Sequence, residues 1–285
     1  MVYFVGVAAA LALGLGYVVQ QRVASTMPIG ELLRWQLLFG LMRQRLWWFG
    51  IGAMVVGQAL AGYALSLAAV ATVEPLLSAN LLFALAFAAG IARQRIRWQE
   101  VAGAVLLSAA LAVFIEVGDP HDSPAPDTSN VAITAAVAAV VVSVLALVAV
   151  ARQRGLVGES VLLATGAGLL YGLQDAATRA AFIVIDDRGI ADLAISPWTY
   201  IVVGSAAVGI LLSQSAFKAA RLDYSLPPIA AAEPVAGIAL GIGLLGDVVS
   251  LSVLGIVAES LCLVAMIAGA ALIGRSPNLA AQDKR

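Results

Sequence analysis

The amino-acid sequence predicts an all-α, polytopic membrane protein with nine transmembrane helices, built as two inverted four-helix repeats joined by one connector helix. Three observations predict this fold. Of the 285 residues, 62% are hydrophobic and only 12% are charged, and the mean hydropathy is +0.98, so a water-soluble core could not bury the apolar surface. Nine stretches approach the length of about 20 apolar residues that a spanning helix needs. The dipeptide Glu-Pro occurs at 74–75 and again at 233–234, each time opening an apolar stretch.

The first half of the chain contains four predicted spans and one short amphipathic segment. Spans 1 to 4 cover residues 3–22, 46–69, 73–92 and 98–116. Span 1 lacks the basic N-terminal region of a cleaved signal peptide, so we expect it to be retained. Residues 28–42 are too short to cross and contain Glu31 and Arg34, which favours an amphipathic helix on the cytoplasmic interface. A re-entrant segment is the alternative.

An acidic, proline-containing loop at 117–130 precedes the second half. Its carboxylates and irregular backbone could not be satisfied in lipid, so we expect this loop to be external. Span 5, residues 131–151, has almost no polar content, which indicates a connector helix facing lipid. Spans 6 to 9 cover residues 158–182, 197–217, 225–246 and 250–273, and residues 274–285 form a tail.

The positive charges predict the orientation. Of the 16 lysines and arginines, 14 fall on one side of this arrangement, in the loops after spans 1, 3, 5 and 7 and in the tail. Because positive residues accumulate on the cytoplasmic side, the N-terminus is predicted outside and the tail inside, in a cell inner (plasma) membrane. The residues on this side are Arg22, Arg34, Arg43, Arg45, Arg93, Arg95, Arg97, Arg152, Arg154, Lys218, Arg221, Arg275, Lys284 and Arg285.

Composition and motifs exclude several other classes. The net charge is −1 and the arginines are spread over short loops, which excludes the clustered basic surface of a nucleic-acid-binding protein. The single cysteine, Cys262, allows no intramolecular disulfide and no metal-site spacing. No nucleophile and base recur on one helix face and no cofactor motif occurs, so we expect neither an enzyme nor a bound cofactor. The glycines of GLGYV, GIGAMVVG and GIALGIGLLG predict close helix contacts rather than phosphate loops.

The two Glu-Pro pairs align two copies of a four-helix unit, residues 1–116 and 156–273. Gly103 in span 4 then corresponds to Gly255 in span 9, and GYVVQQR in span 1 resembles GLQDAATR in span 6. A four-helix unit begins and ends on the same side of the membrane, so the second copy is inverted only if an odd number of spans lies between them. Span 5 is that insertion. Inverted repeats are typical of carriers that work by alternating access.

Two segments resemble a known family. The run LWWFGIGAMVVGQALAGYALSLAAVATVEPL from Leu46, followed by the Gly103 helix, is similar to the drug/metabolite transporter (EamA-like) superfamily, particularly its NIPA-type magnesium transporter branch. SLPPIAAAEPV and LLGD in the second half resemble bacterial members of the same superfamily. The resemblance covers most of residues 1–273 and implies a secondary transporter, with Mg²⁺ as one implied substrate.

The chain departs from that family pattern at its acidic residues. Where the NIPA-type pattern has Gly-Glu in the second helix, this chain has Gly57-Gln58, and Gln94 replaces a glutamate after span 3. Glu-Pro twice replaces the Thr-Pro of the pattern. Because the acids have moved, magnesium cannot simply be carried over from the resemblance.

Glutamates inside the predicted spans are the leading site candidates, because a carboxylate in hydrocarbon is costly unless it is paired or hydrated. Glu259 is about ten residues into span 9, which predicts a position near the midplane. Glu233 is followed by too few residues to span, so we expect its helix to begin near Leu226 and to be kinked or broken at Pro234. Both are candidate ligands for a cation or for a coupling proton; a structural role is the alternative for each.

Further polar residues are weaker candidates. Glu74 could simply lie at the outer interface, since residues 75–93 could span alone. Asp175 and Arg179 are four apart on one helix face, which predicts either a structural ion pair or a gate. Gln21, Gln58 and Asn80 could line a pathway or bond neighbouring helices.

These observations predict a secondary carrier of a small solute or cation. Its partners are the lipid bilayer, the transported solute and a coupling proton or ion, and a homodimer is compatible with the pattern. A rival within transport is an exporter of a metabolite, drug or lipid-linked precursor, for which Trp47, Trp48 and Tyr63 would matter more. A rival from another class is a non-transporting membrane scaffold or assembly subunit.

Overall fold

The computed structural model describes residues 1–27, 33–67, 76–77, 79–92, 98–118, 130–245 and 253–274. Within these ranges the chain is helical and contains no β-strand. A short 3-10 helix, Ile190–Ala194, follows the longest α-helix. The α-helices are α1 Val2–Ala24, α2 Trp35–Met42, α3 Arg45–Leu67, α4 Asn80–Ala92, α5 Trp98–Gly118, α6 Asn130–Ala151, α7 Leu156–Arg188, α8 Pro197–Ala219, α9 Leu222–Leu245 and α10 Val253–Gly274. The predicted all-α class is therefore confirmed for the described part of the chain.

In the described part of the chain, four helical stretches are long and apolar enough to cross a membrane. They overlap predicted spans 1, 5, 6 and 7 and are Val2–Ala24, Val131–Ala151, Leu156–Thr178 and Pro197–Ala219. Shorter apolar helical stretches occur at Asn80–Ile91, Val101–Phe114 and Val257–Met266. These apolar helices indicate a membrane protein, as the composition predicted.

Several predicted features fall wholly or partly outside the described residues. They are Glu74, Gln94, the tail after residue 274, most of the external loop and the first part of the amphipathic segment 28–42. The remainder of that segment forms α2, a helix of 8 residues.

The chain forms two compact units. Unit 1 comprises Met1–Gly118, Phe217–Pro227 and Leu251–Arg285, and unit 2 comprises Asp119–Ala216 and Pro228–Ser250. The predicted second repeat, residues 156–273, includes α10, but α10 belongs to unit 1. The two compact units therefore differ from the two predicted repeats. The repeat boundaries therefore stay a prediction.

In unit 1, glycines bring α1 close to α3 and α4. A Cβ atom added to Gly16 would meet Gly50 and Met54 of α3, and Leu13 lies against Gly57. Residues nearer the N-terminus of α1 contact residues nearer the C-terminus of α3, so the two helices are antiparallel. The helix α3 therefore begins at the end of the unit at which α1 finishes, and the 8-residue helix α2 does not cross from one end of the unit to the other.

The contact of α1 with α4 runs in the opposite sense. Gly6 lies against Leu76, which precedes α4, and Gly14 lies against Asn80 and Ala84. A Cβ atom on Gly14 would be 2.8 Å from the Asn80 carbonyl oxygen and 2.9 Å from the Ala84 nitrogen. Residues later in α1 contact residues later along the chain at α4, so the two helices are parallel.

Another contact of unit 1 joins α5 and α10 through two glycines. A Cβ atom on Gly103 would lie 2.6 Å from the Gly269 carbonyl oxygen, and one on Gly269 would lie 2.7 Å from the Gly103 carbonyl oxygen. Leu107 and Ile273 complete the contact and are almost fully buried. Helices in lipid gain little from apolar burial, so small residues that permit close backbone approach stabilise such pairs.

In unit 2, successive helices α6, α7 and α8 alternate in direction. Val144 of α6 lies near Gly166 of α7, whereas Ile133 packs with Ala177 and Ala180, so α6 and α7 are antiparallel. Ser160 of α7 bonds to Ala216 of α8, whereas Tyr171 contacts Gly209 and Ser213, so α7 and α8 are antiparallel as well.

The helix α9 lies parallel to α7, because Gly168 contacts Ile229 and Gly172 contacts Gly237. It begins at Leu222 rather than near Leu226 and continues through position 234 to Leu245. The helix was expected to be kinked or broken at Pro234; the described helix is continuous there, so a break is wrong, whereas a kink stays a prediction. A helix start that precedes Glu233 by three turns leaves enough residues on both sides to carry the helix through the proline.

The helices of unit 2 differ in how much protein covers them. Only 11% of the apolar stretch of α6 is buried, against 50% for α7 and for α8. This agrees with the lipid-facing helix that the sequence predicted at residues 131–151. The helix α7 has 33 residues and is about 50 Å long, so it extends beyond a hydrocarbon core of about 30 Å. It ends at Gly189, whose φ of 87° is favourable for glycine.

Candidate functional site

The polar side chains of unit 2 gather where α7 contacts α8 and α9. The Tyr171 hydroxyl and the Ser213 Oγ are 2.9 Å apart, and Ser213 donates to the Ile210 carbonyl oxygen at 3.0 Å. Tyr171 therefore donates to Ser213, so that both hydroxyl protons are used. The ring of Tyr171 lies on Gly209, where an added Cβ atom would be 2.7 Å from the ring. This packing fixes the phenol against α8.

Glu233 lies on the face of α9 that contacts α7. The backbone of Glu233 contacts Gly168 and Gly172, and its carboxylate is near enough to Tyr171 to act on the phenol electrostatically. The Glu233 side chain is half-buried. A carboxylate thus lies within electrostatic range of the Tyr171 phenol, on a helix whose contact with α7 leaves no room for a larger residue at position 172.

One turn further along α7, Gln174 and Asp175 add two more polar groups. The Gln174 Oε1 atom is buried and has no hydrogen-bond partner among the residues that the structure describes. The Asp175 side chain reaches the surface of the chain. The side chain of Arg179 lies outside the described part, so the predicted Asp175–Arg179 ion pair stays a prediction.

Sequence reasoning missed the polar run on α8. Ser213, Gln214 and Ser215 are all nearly inaccessible, and Ser160 of α7 donates to the Ala216 carbonyl oxygen at 2.9 Å. Lys218, predicted as a loop cation, is buried at the end of the same helix. The available signal was the polar sequence SQS inside an apolar window, which could have been interpreted as an interhelical contact.

Glu259, the first sequence candidate, is half-buried on α10 of unit 1. It follows the first residue of that helix, Val253, by six positions, which is about 9 Å along the axis. Its charge acts on Cys262, which lies three positions further along the same helix. The described residues contain no group of three or more His, Cys, Asp or Glu side chains arranged to hold a metal ion.

The amide candidates of unit 1 have structural contacts. Gln21 donates from Nε2 to the Phe217 carbonyl oxygen at 3.4 Å. Asn80 is the first residue of α4, and its backbone carbonyl faces Gly14. Gln58 is exposed, although the neighbouring Gly57 packs on Leu13.

In unit 2 the structure thus brings Glu233 within electrostatic range of Tyr171, which bonds to Ser213, a pair that the sequence had not indicated; Asp175 lies one turn further along α7 with its side chain exposed. Glu259, Gln21, Gln58 and Asn80 belong to unit 1, and Glu74 lies outside the described residues. The unit 2 cluster offers one carboxylate, two hydroxyls and a buried amide oxygen within apolar helices. Such groups can bind a cation, a proton or a hydrogen-bonding solute.

Comparison with known proteins gives one relative over the whole length. The chain is 27% identical over 279 residues to an uncharacterized protein of Corynebacterium glutamicum, covering 98% of this chain and 96% of that protein. No protein-family model matches the chain, and no solved structure matches it. Because this relative is itself uncharacterized, function must be argued from the site.

Proposed function

We propose that the chain is a secondary membrane carrier of the drug/metabolite transporter type, which moves a small solute or cation by alternating access. The observation that carries the proposal is Glu233, a half-buried carboxylate on an apolar helix whose backbone packs on α7, within electrostatic range of Tyr171, which bonds to Ser213. A carboxylate inside a membrane helix is costly and is a functional candidate by default. In this proposal Glu233 binds the transported cation or the coupling proton, and Asp175 supports it.

The proposal includes nine membrane spans, formed by α1 and by α3 to α10. The direction of the helices supports this count. In unit 1, α1 is antiparallel to α3 and parallel to α4, as expected if α2 lies at the interface. In unit 2, α6, α7 and α8 alternate and α9 is parallel to α7, as successive spans require. The arginine distribution then gives an external N-terminus and a cytoplasmic tail in the plasma membrane.

The proposal also includes the inverted repeat. Two glycine contacts of the same kind support it. Gly14 of α1 faces the carbonyl of Asn80 and the nitrogen four residues later, and Gly172 of α7 faces the carbonyl of Glu233 and the nitrogen four residues later. Each pair joins the first and third helices of a predicted copy. The first helix of each copy therefore packs in the same way on the backbone of the third.

The substrate class is the least constrained part of the proposal. Magnesium is the cation that the family resemblance favours. Mg²⁺ is usually bound through one or two carboxylates while it keeps several waters, so Glu233 or Glu259 could contact it without a complete protein cage. A proton needs only a single carboxylate. An uptake assay that varies both ions distinguishes these substrates.

The test uses purified protein in liposomes loaded with a magnesium-sensitive dye, and in parallel liposomes with a pH-sensitive dye. The wild type is expected to pass one of these ions along an imposed gradient. Glu233→Gln removes the charge while keeping the shape of the side chain, and we expect it to lower the flux at least tenfold. Glu159→Gln is the matched control, because Glu159 lies in the first turn of α7, where Arg152 acts on it.

Three outcomes would contradict the proposal. Full flux by folded Glu233→Gln protein would remove Glu233 from the pathway. Loss of flux in Glu259→Gln but not in Glu233→Gln would move the site to unit 1. A complete lack of flux of these ions and of candidate organic solutes, together with an assembly partner recovered by wild type and by both variants, would instead support a scaffold.

A further inference from the structure

The corner between α2 and α3, residues 34–49, has an unusual exposed surface, which we call the α2–α3 corner. Leu37 and Leu41 are fully buried and attach one face of α2 to the protein. Trp35, Phe39 and Met42, at spacings of four and three, are 50%, 65% and 46% exposed on the other face. A helix that is apolar on both faces needs an apolar environment on its outer side as well as its inner side.

The corner is held in one conformation by its tryptophans. Trp48 of α3 donates from Nε1 to the carbonyl oxygen of Met42 at 2.8 Å, which satisfies one of the free carbonyls at the end of α2. Trp47 is buried and meets Trp48 edge to face, with ring centroids 5.1 Å apart and planes at 80°. The half-exposed ring of Trp48 is thus fixed beside the C-terminal end of α2.

Positive charge flanks the exposed apolar face. Arg34 is the N-cap of α2, Arg43 is its C-cap, and Arg45 begins α3; all three are exposed. The segment from Leu33 to Phe49 contains no acidic residue. Guanidinium groups bind phosphate in a bidentate manner, and tryptophans favour the level of the lipid headgroups.

We propose that the α2–α3 corner is a binding surface for anionic phospholipid, with Arg43 and Arg45 on the headgroup phosphate and the exposed face of α2 against the acyl chains. The occupant follows from the combination of groups. A soluble anion would use the arginines and leave Trp35 and Phe39 in water. A zwitterionic lipid would cover the apolar face and offer a phosphate, but its own cation would leave the net positive charge of the corner unbalanced. An anionic phospholipid does both. The proposal requires insertion in a bilayer but does not depend on transport.

The test is native mass spectrometry of the full-length protein, released from membranes that contain equal amounts of phosphatidylglycerol and phosphatidylcholine. The wild type is expected to retain phosphatidylglycerol preferentially. Each basic residue near an anionic membrane surface contributes to binding, so R43Q/R45Q is expected to lower the ratio of retained phosphatidylglycerol to phosphatidylcholine by on the order of tenfold. R43K/R45K keeps the charge but loses the bidentate geometry and should give an intermediate ratio.

R152Q/R154Q is the matched control, because these two exposed arginines lie in the turn between α6 and α7 and the change in charge is identical. An equal loss of preference in R152Q/R154Q would mean a general charge effect and would overturn the proposal. So would an unchanged ratio in R43Q/R45Q, or full displacement of the lipid by free glycerol phosphate. If W35A/F39A instead dissociates a dimer and leaves the lipid ratio unchanged, the exposed face of α2 binds a second copy of the chain. This result would also overturn the proposal. Melting temperatures measured in phosphatidylcholine alone verify that each variant is folded. Because the test measures lipid retention in folded protein, its result does not depend on ion flux.

Discussion

Two helix contacts of this protein both place glycines against the backbone carbonyl oxygens of a neighbouring helix, but they differ in chemistry. In unit 1, Gly103 of α5 and Gly269 of α10 face each other's carbonyl oxygens. In unit 2, Gly168 and Gly172 of α7 face the carbonyl oxygens of Ile229 and Glu233 on α9. In all four cases a Cβ atom would collide with backbone.

The residues around the two contacts are different. Leu107 and Ile273 flank the α5–α10 contact, whereas Tyr171 and Glu233 flank the α7–α9 contact. Close glycine packing therefore stabilises both pairs of helices regardless of function. In unit 2 the two helices of the contact also carry Tyr171, which bonds to Ser213, and Glu233, which lies within electrostatic range of the Tyr171 phenol. The expected consequence is that the glycines determine stability in both units, whereas the polar groups determine activity in one.

The largest effects are expected from substitutions that close the space at the glycines. Gly172→Val and Gly103→Val both place a branched side chain against backbone, which cannot move aside as a flexible side chain could. We expect each to destabilise the protein by about 3 kcal/mol, the upper end of the usual range for overpacking. Thermal unfolding of purified protein in detergent measures this, together with the monodisperse fraction.

Gly243→Ala on α9 is the control for Gly172→Val, because nothing lies within 4 Å of an added Cβ atom there. It is expected to leave stability unchanged or slightly raised, since alanine favours helix more than glycine does. Wild-type stability of Gly172→Val would show that the α7–α9 contact opens readily, and the two contacts could then no longer be treated as equivalent.

The sequence predicted the helices well and their contacts only in part. Apolar runs located α1 and α6 to α8 closely, and the glycines of GLGYV and GIGAMVVG were correctly interpreted as helix contacts through Gly16 and Gly57. The facing partners could not be predicted, because a helix that is apolar all round does not indicate which side meets protein and which meets lipid. Tyr171 and Ser213 are far apart in sequence and pair only because α7 and α8 are antiparallel. Glu233 was selected because a charge in an apolar run is conspicuous without knowledge of the fold.

A smaller effect on stability, but a large one on activity, is expected from Tyr171→Phe. The variant removes the hydroxyl that lies within electrostatic range of Glu233, while Ser213 keeps its bond to the Ile210 carbonyl. We expect a loss of about 1 kcal/mol or less, as for other interhelical polar bonds in membranes, and a reduction of ion flux by severalfold. Tyr200→Phe removes the same atom from an exposed tyrosine that bonds to the Ala194 carbonyl, and it should leave the flux unchanged. Equal flux in the two variants would remove the hydroxyl pair from the site.

The smallest effect is expected from Ser160→Ala, which separates polar bonding from activity within unit 2. Ser160 is fully buried and donates to the Ala216 carbonyl oxygen, two helical turns or more from Tyr171 along α7. Its loss should cost about 0.6 kcal/mol, the average for such bonds, and should not alter the flux. Ser143→Ala, on the exposed side of α6, removes only a bond within its own helix and should have no measurable effect on thermal unfolding. If Ser160→Ala instead abolished the flux, the site would extend along the whole α7–α8 contact. The feature that separates unit 2 from unit 1 would then be that contact rather than the turn that carries Glu233.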